Sequence, residues 1–373
     1  PEQFINNRKG WHMRPATILT LAGCIVLFSA FAGAQTGLYT LNGGTAEQTD
    51  KTYSATLADQ SPVYVVNSGV LTLKNCTIAK TGDSSSADNS SKYGLNAGIL
   101  ANTSGKVTVT GGSVTTNASG GNGLFATGSG SSITMSGGTI SANGSFAHGV
   151  DVTYSGTITL TDVNVTTSGV NSSAIATDFG GGTVTVTGGT IITTNTSTNG
   201  RSAGIYSTGV ITVSNASVTS MGNNGGVIDG ANSIILNNTA LSGATGGIKI
   251  WKTAPANGTA TVTITGGSLV ATTGDAFYVT GSTGNAATGT ITIKGGATVS
   301  TGSGNIINVD GGSIATLTLD GETLNGNLVA DSKSTLAVTF KNKTSYTGAV
   351  QQGAVTMDAS SAWTLTGNST VTT

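Results

Sequence analysis

Asp151 and Asp178 sit at nearly matching places in two successive repeats, in GVDV (Gly149–Val152) and in AIATD (Ala174–Asp178). Two carboxylates on one face are what cleavage of a glycosidic bond requires. One donates a proton to the leaving oxygen, and the other activates water or attacks the sugar, across roughly 5–9.5 Å. Carried by adjacent stacked strands and offset by two residues, this pair would stand ~8 Å apart. Two unrelated solvated aspartates would give the same spacing. The supporting cast is thin: His148 is a lone histidine beside Gly149, and Arg201 ends the loop run STNGR. We therefore assign no catalytic residue and keep Asp151 and Asp178 as the weaker, enzymatic alternative. No cysteine–histidine or acidic cluster is evident, so neither a metal nor a cofactor is expected. Gly180–Gly182 lacks the lysine of a phosphate loop and reads as a turn.

A second constellation suits recognition better than catalysis. Phe125, Asp151, Tyr206, Lys249 and Tyr278 recur at one position of the repeat, where their neighbours point inward, and Trp251 follows Lys249 by two residues. With Leu100, Ala176, Ile228 and Asn308 they form one outward column. Spaced aromatic rings flanked by polar groups fit the apolar faces of sugars. This column is the candidate ligand-binding face, with extracellular glycans or the cell envelope as partner; the competing expectation is that a loop packs over it.

The elements that must carry these residues are strands. In TVTVTGGT (Thr183–Thr190) an alternating segment meets a tight turn, and the pattern recurs with turns at Asn75, Gly111, Gly137, Asp162, Gly188, Asn215, Asn238, Gly266, Gly295, Gly321, Asn342 and Gly367. Every one is Gly, Asn or Asp, the types that enter the left-handed region at least cost. Before the turn, apolar residues alternate with Thr or Ser, as in Val107/Val109, Ile133/Met135 and Val184/Val186. A second short strand follows the turn, and a third, such as GILA from Gly98 or GIYS from Gly204, completes the repeat. Three strands per ~25 residues is the arithmetic of a parallel β-helix with like positions ~4.8 Å apart. The fold expected is all-β, a right-handed parallel β-helix of about twelve coils. Outward threonines form ladders, as on ice-binding solenoids, but unequal coil lengths are expected to break that array.

Composition agrees. There are 57 glycines among 373 residues, only 8% charged residues and a net charge of -1, which gives no electrostatic footprint for nucleic acid. Residues 1–34 read as an upstream segment and export signal. A basic start is followed by the apolar run Ile18–Phe31 and Ala32-Gly33-Ala34 before Gln35. Leu21-Ala22-Gly23-Cys24 offers a competing lipoprotein box with lipidation at Cys24. After Gln35 no run reaches the ~18 apolar residues of a membrane span. Residues 35–62 are expected to cap the N-terminal end, 63–330 to form the helix and 331–373 its last coils. Open coil ends would permit self-association into a fibre.

The runs SSKYGLNAGILA (Ser90–Ala101), GVDVTYSGTI (Gly149–Ile158), AIATDFGGGTVTVTGGT (Ala174–Thr190) and LNGNLVADSKSTLAVTFKNKTSYTGAV (Leu324–Val350) resemble a family of secreted bacterial β-helix proteins of adhesin-like or autotransporter-like type. The resemblance spans nearly all of the chain after Gln35. It implies a pectin-lyase-like solenoid and export far more strongly than any activity, and points to a structural or adhesive role at the cell surface. No length for a membrane barrel follows Val371, so self-secretion is not expected.

Overall fold

The computed structural model describes residues 35–196, 202–253, 258–281 and 284–372. Residues 1–34, expected to hold the export signal and Cys24, and Arg201 lie outside them. The described chain is the expected parallel β-helix: about twelve coils, each of three strands, every strand paired in parallel with its counterpart one coil away. In one coil these are Gly182–Thr187, Thr190–Thr193 and Ile205–Ser207. The alternation explains the stacking. Val107, Ile133, Ile158, Val184 and Ile211 are successive partners down the interior, fully shielded from water. Each branched side chain packs on its own kind while the backbone bonds run between coils.

Coil length varies without disturbing this register. Thr72, Thr108, Thr134, Thr159, Thr185 and Thr212 stack in one unbroken outward file, and Ile235 is its first interruption. The extra residues of longer coils sit in the loops, contrary to the expectation that they would break the ladders.

Eleven of the twelve expected turn residues adopt the left-handed region, with φ between 46° and 76°, from Asn75 to Asn342. Gly367 does not. The strand before it, Ala362–Thr364, pairs with Ser345–Thr347, so Trp363 belongs to a second strand and stacks near Tyr346. The turn that follows the strand Val350–Met357 falls instead at Ala359–Ser360, beside Asp358, whose side chain accepts the Asn342 and Ser360 amides at 2.7 and 2.9 Å. The turn missing from the sequence pattern is Asp50, at φ 54°. It belongs to a coil within the segment expected as a cap, where Thr36–Asn42, Thr45–Thr49 and Thr52–Ala55 pair in register with the coil that follows. That coil escapes the pattern because its inward first-strand positions are Ala46 and Gln48 rather than two aliphatics.

The third strands set the outward column in the order Leu100, Phe125, Asp151, Ala176, Tyr206, Val227, Lys249, Tyr278 and Asn308. Val227 replaces Ile228, which turns into the core. The doublet Gly225-Gly226 lengthens this strand and shifts the facing by one residue, pairing Tyr206 with Val227.

A short helix, α1 (Ala87–Tyr93), lies over one end of this column. The Ser86 side chain accepts the Asn89 amide at 3.2 Å, and Gly94 closes the helix in the left-handed region at φ 71°. α1 packs on Val150–Thr153, and the Thr153 hydroxyl donates to the Lys92 carbonyl at 2.9 Å. Phe125 clusters with Tyr64, Ala97 and Leu100 beneath this segment. Among the described residues no helix is long and apolar enough to cross a membrane.

Candidate functional site

Beyond α1 the column opens into a groove. Two adjoining depressions share Thr253 as a common wall. The larger, about 490 Å³, is bounded by Asp178, Phe179, Tyr206, Thr208, Asp229 and Asn232. The smaller, about 350 Å³, is bounded by Lys249, Trp251, Lys252, Tyr278 and Thr280. Each coil contributes from the C-terminal end of its third strand. Asp229 and Trp251 close the strands Asn224–Asp229 and Gly246–Trp251 and are register partners. Stacking thus converts single residues spaced a coil apart into a continuous wall.

The groove residues are held by bonds between coils. The Tyr206 hydroxyl donates to Asp229 Oδ2 at 3.3 Å, and the Thr253 amide donates to Asp229 Oδ1 at 2.9 Å. The Tyr278 hydroxyl donates to Asp310 Oδ2 at 2.7 Å. The half-buried Lys249 places its ammonium 4.6 Å from the Trp251 ring centroid and 5.7 Å from that of Tyr278. Burial pushes its pKa down, and the field of Asp310 opposes this in part.

Of the six residues expected to form the ligand face, Lys249, Trp251 and Tyr278 do line the smaller depression. Tyr206 borders the larger one but is only 3% exposed, its ring packed among Ala203, Val227 and Trp251. Phe125 and Asp151 point outward from the sheet, as expected, yet both are fully buried, because the chain leading through α1 covers them. The expectation that they present a solvent face is therefore corrected. Phe179, Asp229, Lys252 and Thr253 border the groove and were missed, because they sit at strand ends and in loops where no periodicity marks them.

The two aspartates come closer than expected, and with company. Ligand atoms of His148, Asp151 and Asp178 lie within 4.8 Å of one another, so the histidine read as isolated belongs to a cluster. The sequence signal was available in hindsight: His148 precedes Asp151 by three residues in the same coil, with Asp178 one coil on. His148 is buried, donates its own amide to Asn122 Oδ1 at 2.7 Å and accepts the Ser173 amide on Nδ1 at 2.9 Å. A ring that accepts through Nδ1 is neutral with its proton on Nε2, where it is a donor rather than a metal ligand. Neither oxygen of Asp151 has a hydrogen-bond partner. Burial first, and the neighbouring Asp178 second, raise its carboxyl well above the usual range; the Val152 amide pulls the other way without reaching hydrogen-bonding geometry. A protonated Asp151 behind a groove-lining Asp178 is thus better matched to these surroundings than a bound cation.

No protein-family model matches the chain, and no curated protein matches it significantly. The fold and the groove define its class: a parallel β-solenoid with a lateral, aromatic-walled cleft along its third-strand face.

Proposed function

We propose that the protein is a secreted or cell-surface β-helix with a structural or adhesive role, binding glycans of a cell envelope or matrix along its third-strand face. The observation that carries this reading is the pair of contiguous depressions walled by Phe179, Trp251 and Tyr278 and floored by polar groups already anchored between coils. A polymer needs an elongated cleft, and sugar rings need aromatic faces beside hydrogen-bonding groups. The export-type sequence before Gln35 supports an extracellular setting. Many copies on a surface would add avidity to a modest affinity per rod. A glycan array with the full chain tests the proposal. Binding that falls in Trp251→Ala and Tyr278→Ala supports it, and absence of binding to every glycan and envelope preparation overturns it.

A second reading is polysaccharide hydrolysis, favoured by one observation: Asp178 borders the groove within 4.8 Å of the protonatable Asp151. In that reading Asp178 faces the substrate, Asp151 tunes it from behind, and Asp229, which borders the same depression, supplies the second carboxylate that the reaction requires. Release of reducing ends should then disappear in Asp178→Asn with the fold retained. If neutral and acidic polysaccharides both survive incubation with the unaltered protein, hydrolysis is excluded.

A further inference from the structure

We propose that the depression between Lys249, Trp251 and Tyr278 is the subsite for an acidic sugar, one bearing a carboxylate or sulfate, within a chain whose next residues are neutral. This rests on the groove being a glycan site. Its starting point is a half-buried cation with no direct ion pair. The ion pairs found among the described residues are Lys74–Glu47, Lys92–Asp88 and Lys341–Asp320; Lys249 is in none of them. It is nevertheless half-buried, flanked in its column by Val227 on one coil and Tyr278 on the next. Ring faces recover only part of an ammonium's lost hydration. The carboxylate that reaches it, Asp310, is already engaged by the Tyr278 hydroxyl.

Lys252 borders the same depression. The carboxylates whose fields reach its Tyr278 wall, Asp310 and Asp275, are hydrogen-bonded to Tyr278, Asn305 and Asn308 and, among the described residues, are in ion-pair contact with neither lysine. An anion carried by the ligand supplies the missing counter-charge, and the Trp251 and Tyr278 rings offer its sugar ring an apolar wall. The adjoining depression has the opposite character. Asp178 and Asp229 border it, which disfavours an acidic sugar there and a uniformly charged polyanion along the whole groove. The change of sign across Thr253 therefore sets both the composition and the direction of the chain.

Calorimetric titration of the full chain with three hexasaccharides tests this: one alternating a uronate with an N-acetylhexosamine, its carboxyl-reduced form, and that reduced form carrying 6-O-sulfate. Both charged probes should bind about tenfold more tightly than the neutral one, the size expected for one charge-assisted contact. Lys249→Gln should erase that preference, bringing the charged and neutral probes to the same affinity. A preference for one charged probe alone identifies the acid group as carboxylate or sulfate. Equal affinity for all three, or a preference that survives in Lys249→Gln and in Lys252→Gln, overturns the acidic subsite and leaves the groove reading intact. No binding to any of the three counts against both.

Discussion

Tyr206 Oη donates to Asp229 Oδ2 from the neighbouring coil, and this contact sets what a substitution at Tyr206 can report. The ring is buried against Ala203, Val227 and Trp251, so its main contribution is packing. Tyr206→Phe keeps the ring and should lower stability by about 1 kcal/mol, the net worth of a typical hydrogen bond. Tyr206→Ala leaves a cavity and should cost about 3–5 kcal/mol. Chemical denaturation of the two variants separates them. Equal losses would mean that the ring is not packed as described. Tyr278, half-exposed in the groove wall, is for this reason the cleaner probe of binding.

Asp151 makes the stability of the protein depend on pH. An unfolded aspartate releases its proton near 3.8, whereas burial and Asp178 hold the proton on Asp151 to much higher pH. Over that interval the folded state binds the extra proton, so stability falls as pH rises from about 4 towards the folded value. Asp151→Asn has the same shape and no such proton. Its melting temperature should be close to the original at pH 4 and should exceed it increasingly towards pH 8. Parallel profiles would show that Asp151 is not held in its acid form.

The coils were legible from the sequence and the cover over them was not, for different physical reasons. A left-handed turn admits few residue types, so slots such as Asn215 and Gly266 announce themselves, and alternating aliphatics announce which face is buried. The helix Ala87–Tyr93 is seven residues of mostly polar sequence in a chain rich in Ser and Asn, with no apolar stripe to mark it. Its presence decides that Phe125 and Asp151 are buried while Lys249 and Tyr278 are not. Val227 was missed by one position because Gly225-Gly226 carries no side chain to reveal the facing. Groove residues such as Asp229 and Thr253 are joined only by stacking, which no single repeat displays.

Lys80 is the opposite case, a cation inside the solenoid. It occupies an inward position of the strand Thr77–Lys80, is fully shielded from water, and donates to the Leu57 carbonyl. Burial pushes its pKa down to about 8 from an ordinary 10.5, against the pull of Asp59 and then Asp83. Between those values the unfolded chain holds a proton that the folded chain has released, so stability attributable to Lys80 rises with pH across that window. Below pH 8 the cost of the buried charge is fully present. Lys80→Met removes the titration, and the difference between its melting temperature and the original should shift in favour of the original as pH goes from 8 to 10. A difference independent of pH would mean that the ammonium is not desolvated.

Gly94 tests whether the cover over the acid cluster is a separable part. It ends α1 at φ 71°, and a Cβ added there would stand 2.5 Å from Phe125 Cδ1 and 2.7 Å from Leu100 Cδ1. Gly94→Ala therefore combines backbone strain of about 1–2 kcal/mol with a clash against the two side chains that seat the segment. Gly137 provides the control: it has a similar φ, 66°, with open space around the added carbon, so Gly137→Ala carries the strain alone. Because the coils below are held by their own ladders, the clash should undock residues 82–97 before it unwinds the solenoid. Limited proteolysis should then cut within 82–97 in Gly94→Ala while far-ultraviolet circular dichroism keeps its β signature, and Gly137→Ala should resist like the original. Identical digestion of all three would show that contact with Phe125 and Leu100 does not hold the cover in place, and would move the search for its anchor to the Thr153–Lys92 bond.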